Sequence, residues 1–154
     1  MSSIIDTLNQ KFVQRTPHMR EIGARITAVS KGRGSMTLPA RAEWVGDPLR
    51  AQLHPGVLTV LADSTCGLAV GTALTERAPY ATLDLRMDYL RAAGHEADLH
   101  CDAYCFRLTR NVAFVRGDLW RVEEHRSDGT SLVCEFGRRP DEPHAQFLRS
   151  LAAV

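Results

Sequence analysis

Apolar residues recur at helical spacing in the first part of the chain. Ile4, Leu8 and Phe12 fall on one face of a helix, and Ser3 is a residue type that caps helix starts. The pattern predicts an amphipathic helix over about residues 3–14. We expect its apolar stripe to pack on the body of the domain.

Two strand-like segments follow, at residues 21–29 and 35–40, with a glycine-containing turn at residues 31–34 between them. Together they predict an antiparallel hairpin. Residues 43–53 contain a glycine, a proline and several polar side chains. This composition predicts a loop.

The segment from Gly56 to Leu74 is apolar on nearly every side of a helical wheel, and its one charged residue is Asp63. A helix of this kind is buried. Its length also suits a membrane span, but the central aspartate and the strand-like sequence that follows favour a core helix. Gly67 and Gly71 predict that a sheet packs closely against it.

Downstream of this helix the hydrophobic period changes to two. Polar and apolar side chains alternate over residues 82–89, which predicts a strand with one buried face. Its polar set is Thr82, Asp84, Arg86 and Asp88, and its other set is Leu83, Leu85, Met87 and Tyr89. Three more strands, forming an antiparallel meander with turns at 110–111 and 126–129, are predicted at residues 96–108, 112–123 and 131–138.

The order of these elements predicts the fold class. A single curved antiparallel sheet must wrap around the long helix, because no other element is available to cover it. We therefore expect an α+β fold in one domain over residues 1–154, with a core at about 20–139 and a short helical turn at 147–154.

Composition limits the classes of ligand. Among 154 residues, 19 Lys and Arg balance 18 Asp and Glu, so no net charge attracts nucleic acid or an anionic membrane, and we expect neither as a partner. An anionic ligand must then be held by a local patch. Residues 1–15 do not have the pattern of a signal peptide, which favours the cytoplasm.

Cysteine and histidine spacing predicts no metal site. The four cysteines lack the paired CxxC spacing of zinc ligands and are interpreted as reduced, mostly buried thiols. The histidines also show no metal-ligand spacing. The cysteines are Cys66, Cys101, Cys105 and Cys134.

Four short motifs follow one another along the middle of the chain. They are His54-Pro55-Gly56, Leu61-Ala62-Asp63, Thr82-Leu83-Asp84 and Asp88-Tyr89-Leu90. Together they resemble one known family, the phenylacetate-pathway (PaaI-type) hotdog thioesterases. That family has His-Gly-Gly at the start of its central helix, an acidic residue nine positions after the histidine, and a D-x-x-x-x-Y-L run on the next strand. The resemblance covers about residues 20–139 and is strongest over 53–90.

The resemblance implies a hotdog fold, an acyl-CoA substrate and roles for two residues. Asp63 would be the general base or nucleophile, and Thr82 would help to hold the attacking water. Hydrolysis of a thioester needs such an activated water, together with donors for the developing oxyanion. The alternative is that Asp63 is structural, paired with a neighbouring strand or across a subunit interface.

Helix geometry suggests that the site is shared between subunits. Asp63 lies about 12 Å from a helix start near Pro55, at 1.5 Å per residue. A base and an oxyanion donor must both lie within about 3 Å of the reacting centre. One helix cannot supply both, and the family arrangement implies a homodimer, with dimers pairing into a homotetramer.

The chain departs from the family pattern at the helix start. Pro55 replaces a glycine whose N–H polarises the thioester carbonyl, and proline has no N–H, although it suits the first turn of a helix. We expect the N–H of Gly56 and the helix dipole to substitute. The usual upstream asparagine is absent, and Gln52 is the amide candidate in its place. His54 is expected to contact substrate or to orient the loop.

Several arginines are candidates for binding the phosphates of coenzyme A, because guanidinium groups bind phosphate well. For each of them a solvated strand end is the alternative interpretation. The candidates are Arg110 and Arg138, followed by Arg116 and Arg139.

The leading hypothesis is hydrolysis of an acyl-CoA thioester to a free acid and coenzyme A. Coenzyme A belongs to the substrate, so no separate cofactor is expected. A non-catalytic acyl-CoA-binding hotdog protein is the alternative. An enoyl-CoA hydratase or dehydratase is third, because His54 and Asp63 are too far apart on one helix to form the Asp and His pair of those enzymes.

Overall fold

The computed structural model describes residues 3–76, 78–121 and 130–138. The helices are α1 (Ile4–Leu8), α2 (Pro17–Ile22) and α3 (Pro55–Ala73). The strands are β1 (Arg25–Ser30), β2 (Arg33–Leu38), β3 (Val45–Asp47), β4 (Gln52–Leu53), β5 (Tyr80–Tyr89), β6 (Leu99–Leu108), β7 (Val112–Arg121) and β8 (Thr130–Arg138). The predicted turn at 126–129 and the predicted helical turn at 147–154 lie outside the described residues.

The N-terminal helix begins with a capping box. Ser3 Oγ accepts a hydrogen bond from the Asp6 N–H at 3.1 Å, and the Asp6 carboxylate accepts one from the Ser3 N–H at 3.0 Å. After α1 the helix continues with π geometry over Asn9–Val13, so the predicted helix over residues 3–14 is observed. The Asn9 side chain pairs with both backbone groups of Ile26, which fixes this segment against β1.

The prediction that the first strand starts at residue 21 is wrong. Residues 21 and 22 end α2, and β1 begins only at Arg25. Pro17 at the first position and Gly23 at the C-cap, with φ 75°, mark the two ends of this short helix. Six residues are too few for a clear helical period, which is why the sequence pattern missed α2.

The prediction of a plain loop at residues 43–53 is also wrong. β3 and β4 form a small antiparallel hairpin there, outside the main sheet. The hairpin leads directly into α3, because the His54 N–H donates to the Trp44 carbonyl and the Leu53 N–H donates to the Ala93 carbonyl, both at 2.8 Å. These bonds fix where the helix starts.

Within the described residues, six strands form one antiparallel sheet in the order β1-β2-β6-β7-β8-β5. The β1-β2 hairpin turns at Gly32, whose φ of 70° suits glycine. β6, β7 and β8 form the predicted meander, and β5 pairs with β8 at the end of the sheet.

The long helix α3 lies across the sheet and packs mainly against β6, β2 and β7. By length and composition alone it could cross a membrane, but much of it is covered by this fold. Close approach requires Gly34 of β2, where any Cβ would come within 2.8 Å of the Leu68 side chain. The buried helix residues are Leu58, Leu61, Ala62, Thr65, Cys66, Gly67, Leu68, Ala69 and Val70.

A β-bulge at Leu83 decides which side chains of β5 face the helix. Thr82 pairs with Phe136 and Asp84 pairs with Glu135, so Leu83 is an extra residue in the ladder. Strict alternation would place Thr82 on the same face as Asp84. The bulge instead turns Thr82 toward α3, while Leu83 is 63% exposed.

Candidate active site

Asp63 and Thr82 meet in the groove between α3 and β5. The Thr82 hydroxyl donates a hydrogen bond of 2.6 Å to Asp63 Oδ1. Residues four apart on a helix share one face, and this face of α3 presents Thr59, Asp63 and Gly67 to β5. Thr59 Oγ1 lies 3.3 Å from the Tyr89 hydroxyl, which extends the same set of contacts toward the helix start.

The Asp63 carboxylate is held on one side only. Asp63 is half-buried and Thr82 is exposed, and their short bond is of the charge-assisted kind. Among the residues that the structure describes, Oδ2 of Asp63 accepts no hydrogen bond and the carboxylate has no cationic partner. One oxygen is therefore oriented by Thr82, and the other can accept a proton from water.

The start of α3 is capped by a histidine. His54 Nδ1 accepts a hydrogen bond from the Gly56 N–H at 3.0 Å, and the His54 carbonyl accepts one from the Val57 N–H at 2.9 Å. Pro55 has no N–H to contribute. In this conformation the imidazole occupies the Gly56 N–H, so the predicted role of that N–H in binding an oxyanion requires the ring to move away.

The same bond determines the tautomer of His54. A ring nitrogen that accepts a hydrogen bond carries no proton, so the neutral imidazole has its hydrogen on Nε2. Nε2–H is thus a side-chain donor at the helix start. His54 is exposed, so this donor is accessible to a ligand.

A cavity of about 390 Å³ adjoins the helix start. Gln52, His54 and Pro55, all predicted as substrate-binding residues, line it together with Tyr89 and Arg91. Arg91 was not predicted, although it directly follows the D-x-x-x-x-Y-L run. It makes no hydrogen bond or ion pair with any residue in the described ranges.

Two of the predicted arginines, Arg110 and Arg116, do not line this cavity. Arg110 lies in the β6-β7 turn beside a second cavity near the C-terminal end of α3, so the length of the helix, about 28 Å, separates it from His54. Arg116 stacks over Phe106, 4.9 Å from the ring centre. Arg138 is the last residue of β8 and its side chain lies outside the described part, as does Arg139.

The cysteines are free thiols. A hydrogen bond with Cys134 and burial both raise the pKa of Cys66. Cys66, Cys101 and Cys134 are fully buried and Cys105 is partly exposed, so the interpretation as reduced, mostly buried thiols is confirmed. Across the described ranges, no three His, Cys, Asp or Glu side chains form a metal-ligating cluster.

Comparison with known proteins gives the family. Residues 52–127, which contain the helix start, Asp63 and Thr82, match the model of the thioesterase superfamily. A Halobacterium salinarum protein whose name describes it as an esterase is 31% identical over 108 residues, which span 68% of this chain and 70% of that protein. The chain belongs to the thioesterase superfamily. It is a hotdog thioesterase of the PaaI type and a thioester hydrolase.

Solved structures agree with this assignment. A mutant of the phenylacetic acid degradation protein PaaI from Thermus thermophilus is 27% identical, with a TM-score of 0.68 over 80% of this chain and 99% of that chain. The TT0310 protein of the same organism is 27% identical, with a TM-score of 0.70 over 81% and 99%. A thioesterase from Haemophilus influenzae, at 21% identity and a TM-score of 0.75 over 90% and 92%, shares the hotdog fold.

The histidine cap makes a testable contribution to the stability of this thioesterase. Replacing His54 by alanine removes the acceptor for the Gly56 N–H and should lower the free energy of unfolding by about 0.5–2 kcal/mol. His54→Ser keeps a capping oxygen and should recover most of that loss. Urea denaturation of the three proteins measures both effects, and equal stability of the alanine and serine variants would contradict the capping role.

Proposed function

We propose that this thioesterase hydrolyses an acyl-CoA thioester to a carboxylic acid and coenzyme A, with Asp63 activating the attacking water. The observation that supports the proposal is the 2.6 Å bond from Thr82 to Asp63, which orients a half-buried carboxylate on the central helix. The second Asp63 oxygen has no partner among the described residues. A carboxylate in this arrangement is suited to general-base catalysis.

In the proposed reaction, water is held between Asp63 Oδ2 and Thr82 Oγ1. Asp63 removes a proton as the water oxygen attacks the thioester carbonyl carbon, and the electrons of the C=O bond move to its oxygen. When the carbonyl re-forms, the C–S bond breaks and the thiolate leaves with the proton from Asp63. The products are an acid and a thiol, and only water is consumed.

The oxyanion requires a donor that the backbone of this helix start does not readily provide. Pro55 has no N–H, and the amides of Gly56 and Val57 are engaged by His54. We assign the donor role to His54 Nε2–H, supported by the positive end of the α3 dipole. Since His54 and Asp63 are about 13 Å apart along one helix, the two groups acting on one carbonyl come from different subunits.

The exposed edge of β5 supports this sharing. β5 ends the sheet, and on its outer side no strand pairs with it within the described residues. Leu83, Tyr89 and Leu90 at this edge are 63%, 47% and 59% exposed, and Thr82 is open to solvent in the single chain. A second copy would cover these apolar groups and shield the carboxylate and its bound water from bulk solvent.

Arg91 is the arginine best placed for the phosphates of coenzyme A, because it lines the cavity at the helix start and has no partner among the described residues. A guanidinium group binds phosphate well because it can donate two parallel hydrogen bonds to the phosphate oxygens. Arg110 belongs to another cavity of the same chain, so it could act only from a neighbouring subunit. The cytoplasm remains the expected location, and no resident cofactor is required by the proposed reaction.

The alternative from the sequence is a non-catalytic acyl-CoA-binding protein. The engaged Gly56 amide and the missing amide of Pro55 favour it, whereas the assignment to the thioester hydrolases opposes it. Release of free thiol by the parent protein separates the two, and Asp63→Asn then tests the mechanism. It preserves the shape of the side chain and removes the base, so kcat for the best acyl-CoA should fall by about 10²–10⁴-fold. Release of free thiol measures the rate.

Asp84→Asn is the matched control, because Asp84 is an exposed carboxylate on the opposite face of β5 and should retain the parent kcat. If Asp63→Asn matches the parent rate, Asp63 is structural and the mechanism is wrong. If the parent itself binds acyl-CoA and releases no thiol, the binding-only alternative is correct.

Shared sites should complement each other. Asp63→Asn and His54→Ser each disable both sites of a homodimer, but a mixed dimer contains one site with both groups intact. Co-refolding equal amounts should therefore give about a quarter of the parent activity, well above either variant alone. A fully active monomer in sedimentation, or no gain on co-refolding, would contradict a shared site.

Pro55→Gly tests the helix start directly, because it adds the one amide that the first turn lacks. We expect kcat to rise about tenfold or more, since one oxyanion donor typically contributes about 10²–10³. Stability should fall by about 0.4–1 kcal/mol through the greater entropy of the unfolded chain. Steady-state kinetics and urea denaturation measure the two effects.

Pro48→Gly, in the turn between β3 and β4, is the matched control for the loss of proline and should leave kcat unchanged. An unchanged kcat in Pro55→Gly would show that the carbonyl does not lie at the first turn of α3. A fall in kcat would mean that Pro55 stiffens the turn that holds His54.

A further inference from the structure

A second cavity, of about 210 Å³, lies at the other end of α3 from His54. Its lining is mostly apolar and also includes the charged residues Arg110 and Glu76. The walls include Val70, Leu74, Tyr80, Leu108, Val112 and Phe136.

Tyr80 separates this cavity from the catalytic pair. It precedes Thr82 by two residues on β5, so both side chains face α3. Its hydroxyl donates a 2.8 Å hydrogen bond to the carbonyl of Gly67, which is one helical turn beyond Asp63. An acyl group that extended along α3 from Asp63 toward the cavity would therefore meet the Tyr80 ring after about 6 Å.

The ring is fixed in this position on three sides. Phe136 packs edge-on against it, with centroids 5.9 Å apart and an interplanar angle of 79°. Gly71 leaves space for the hydroxyl, since a Cβ there would lie 2.8 Å from it. Burial raises the pKa of Tyr80 to about 12, so the hydroxyl stays protonated and its bond to Gly67 persists at neutral pH.

We propose that Tyr80 ends the acyl-binding groove and so determines the chain length of the substrate. The inference rests on the proposed acyl-CoA hydrolysis. A length of about 6 Å corresponds to an extended acyl chain of roughly five carbon–carbon bonds, since each bond advances the chain by about 1.25 Å along its axis. The substrate class is then a short-chain acyl thioester, and the cavity beyond Tyr80 is unused space that a smaller residue would connect to the groove.

The experiment compares kcat/KM for butyryl-, hexanoyl-, octanoyl- and decanoyl-CoA. The parent should favour the shorter substrates. In Tyr80→Ala, kcat/KM should increase about fourfold for each added methylene that enters the apolar cavity. Tyr80→Phe keeps the ring and should keep the chain-length preference of the parent.

Filling the cavity from its far wall provides a second control. Leu74→Phe combined with Tyr80→Ala should remove the gain for long chains. Leu74 lines the same cavity, and the larger phenyl ring fills the space that a long acyl chain would enter after Tyr80 is removed. If Tyr80→Ala does not fold, as judged by circular dichroism, Tyr80→Leu opens part of the groove and keeps an apolar side chain on Phe136. Either variant decides the question.

Binding gives a readout that does not depend on turnover. The Kd of S-alkyl-CoA thioethers is measured in Asp63→Asn protein with and without Tyr80→Ala. It should decrease with chain length only in the double variant. If the parent hydrolyses butyryl-CoA and neither Tyr80→Ala nor Tyr80→Leu changes its chain-length preference, the inference is overturned and the proposed function is left intact. Absence of hydrolysis with every acyl-CoA, together with no binding of the thioethers, would overturn the proposed function and this inference with it.

Discussion

Burial of α3 is the constraint on which the rest of the structure depends. The helix is apolar on nearly all sides, so it is stable in water only when other elements cover it. Its main contacts are with β2, β6 and β7, and Gly34 allows β2 to approach it closely. The side that remains faces β5, and this is the side on which the one charged residue of the helix, Asp63, is placed. The groove between α3 and β5 is therefore polar where the rest of the core is apolar.

Two local features shape the candidate active site between α3 and β5. The bulge at Leu83 lets Thr82 face the helix together with Leu85 and Met87, although the three residues do not follow one alternation. Gly67 and Gly71 continue the face of α3 that contains Asp63, and their small size allows the Tyr80 side chain to pack against the helix. Along one strip of helix surface the chain thus provides a carboxylate, the hydroxyl that orients it, and an aromatic ring at a fixed distance.

At the start of α3, the proline that stands where the family has glycine changes which groups make the hydrogen bonds. Pro55 favours the first turn of a helix and removes an amide from it. His54 satisfies the next amide with its own ring, and the ring is left with its proton on Nε2. In the proposed reaction a side chain therefore replaces a backbone donor. This replacement requires that His54 and Asp63 act from different subunits, and the open edge of β5 is where a second copy would lie.

The sequence by itself determined the core helix, its lone carboxylate and the strands of the meander, because each depends on a period or composition that is local to one segment. The pairing of Asp63 with Thr82 was reached by family resemblance, while the alternation of residues 82–89 pointed Thr82 the other way. Only the tertiary structure decided the bulge at Leu83, the hairpin of β3 and β4, and the engagement of the Gly56 amide by His54. The separation of Arg110 from the helix start was decided there too. The physical reason is that each of these depends on which groups meet across the fold, and local periodicity contains no information about such partners.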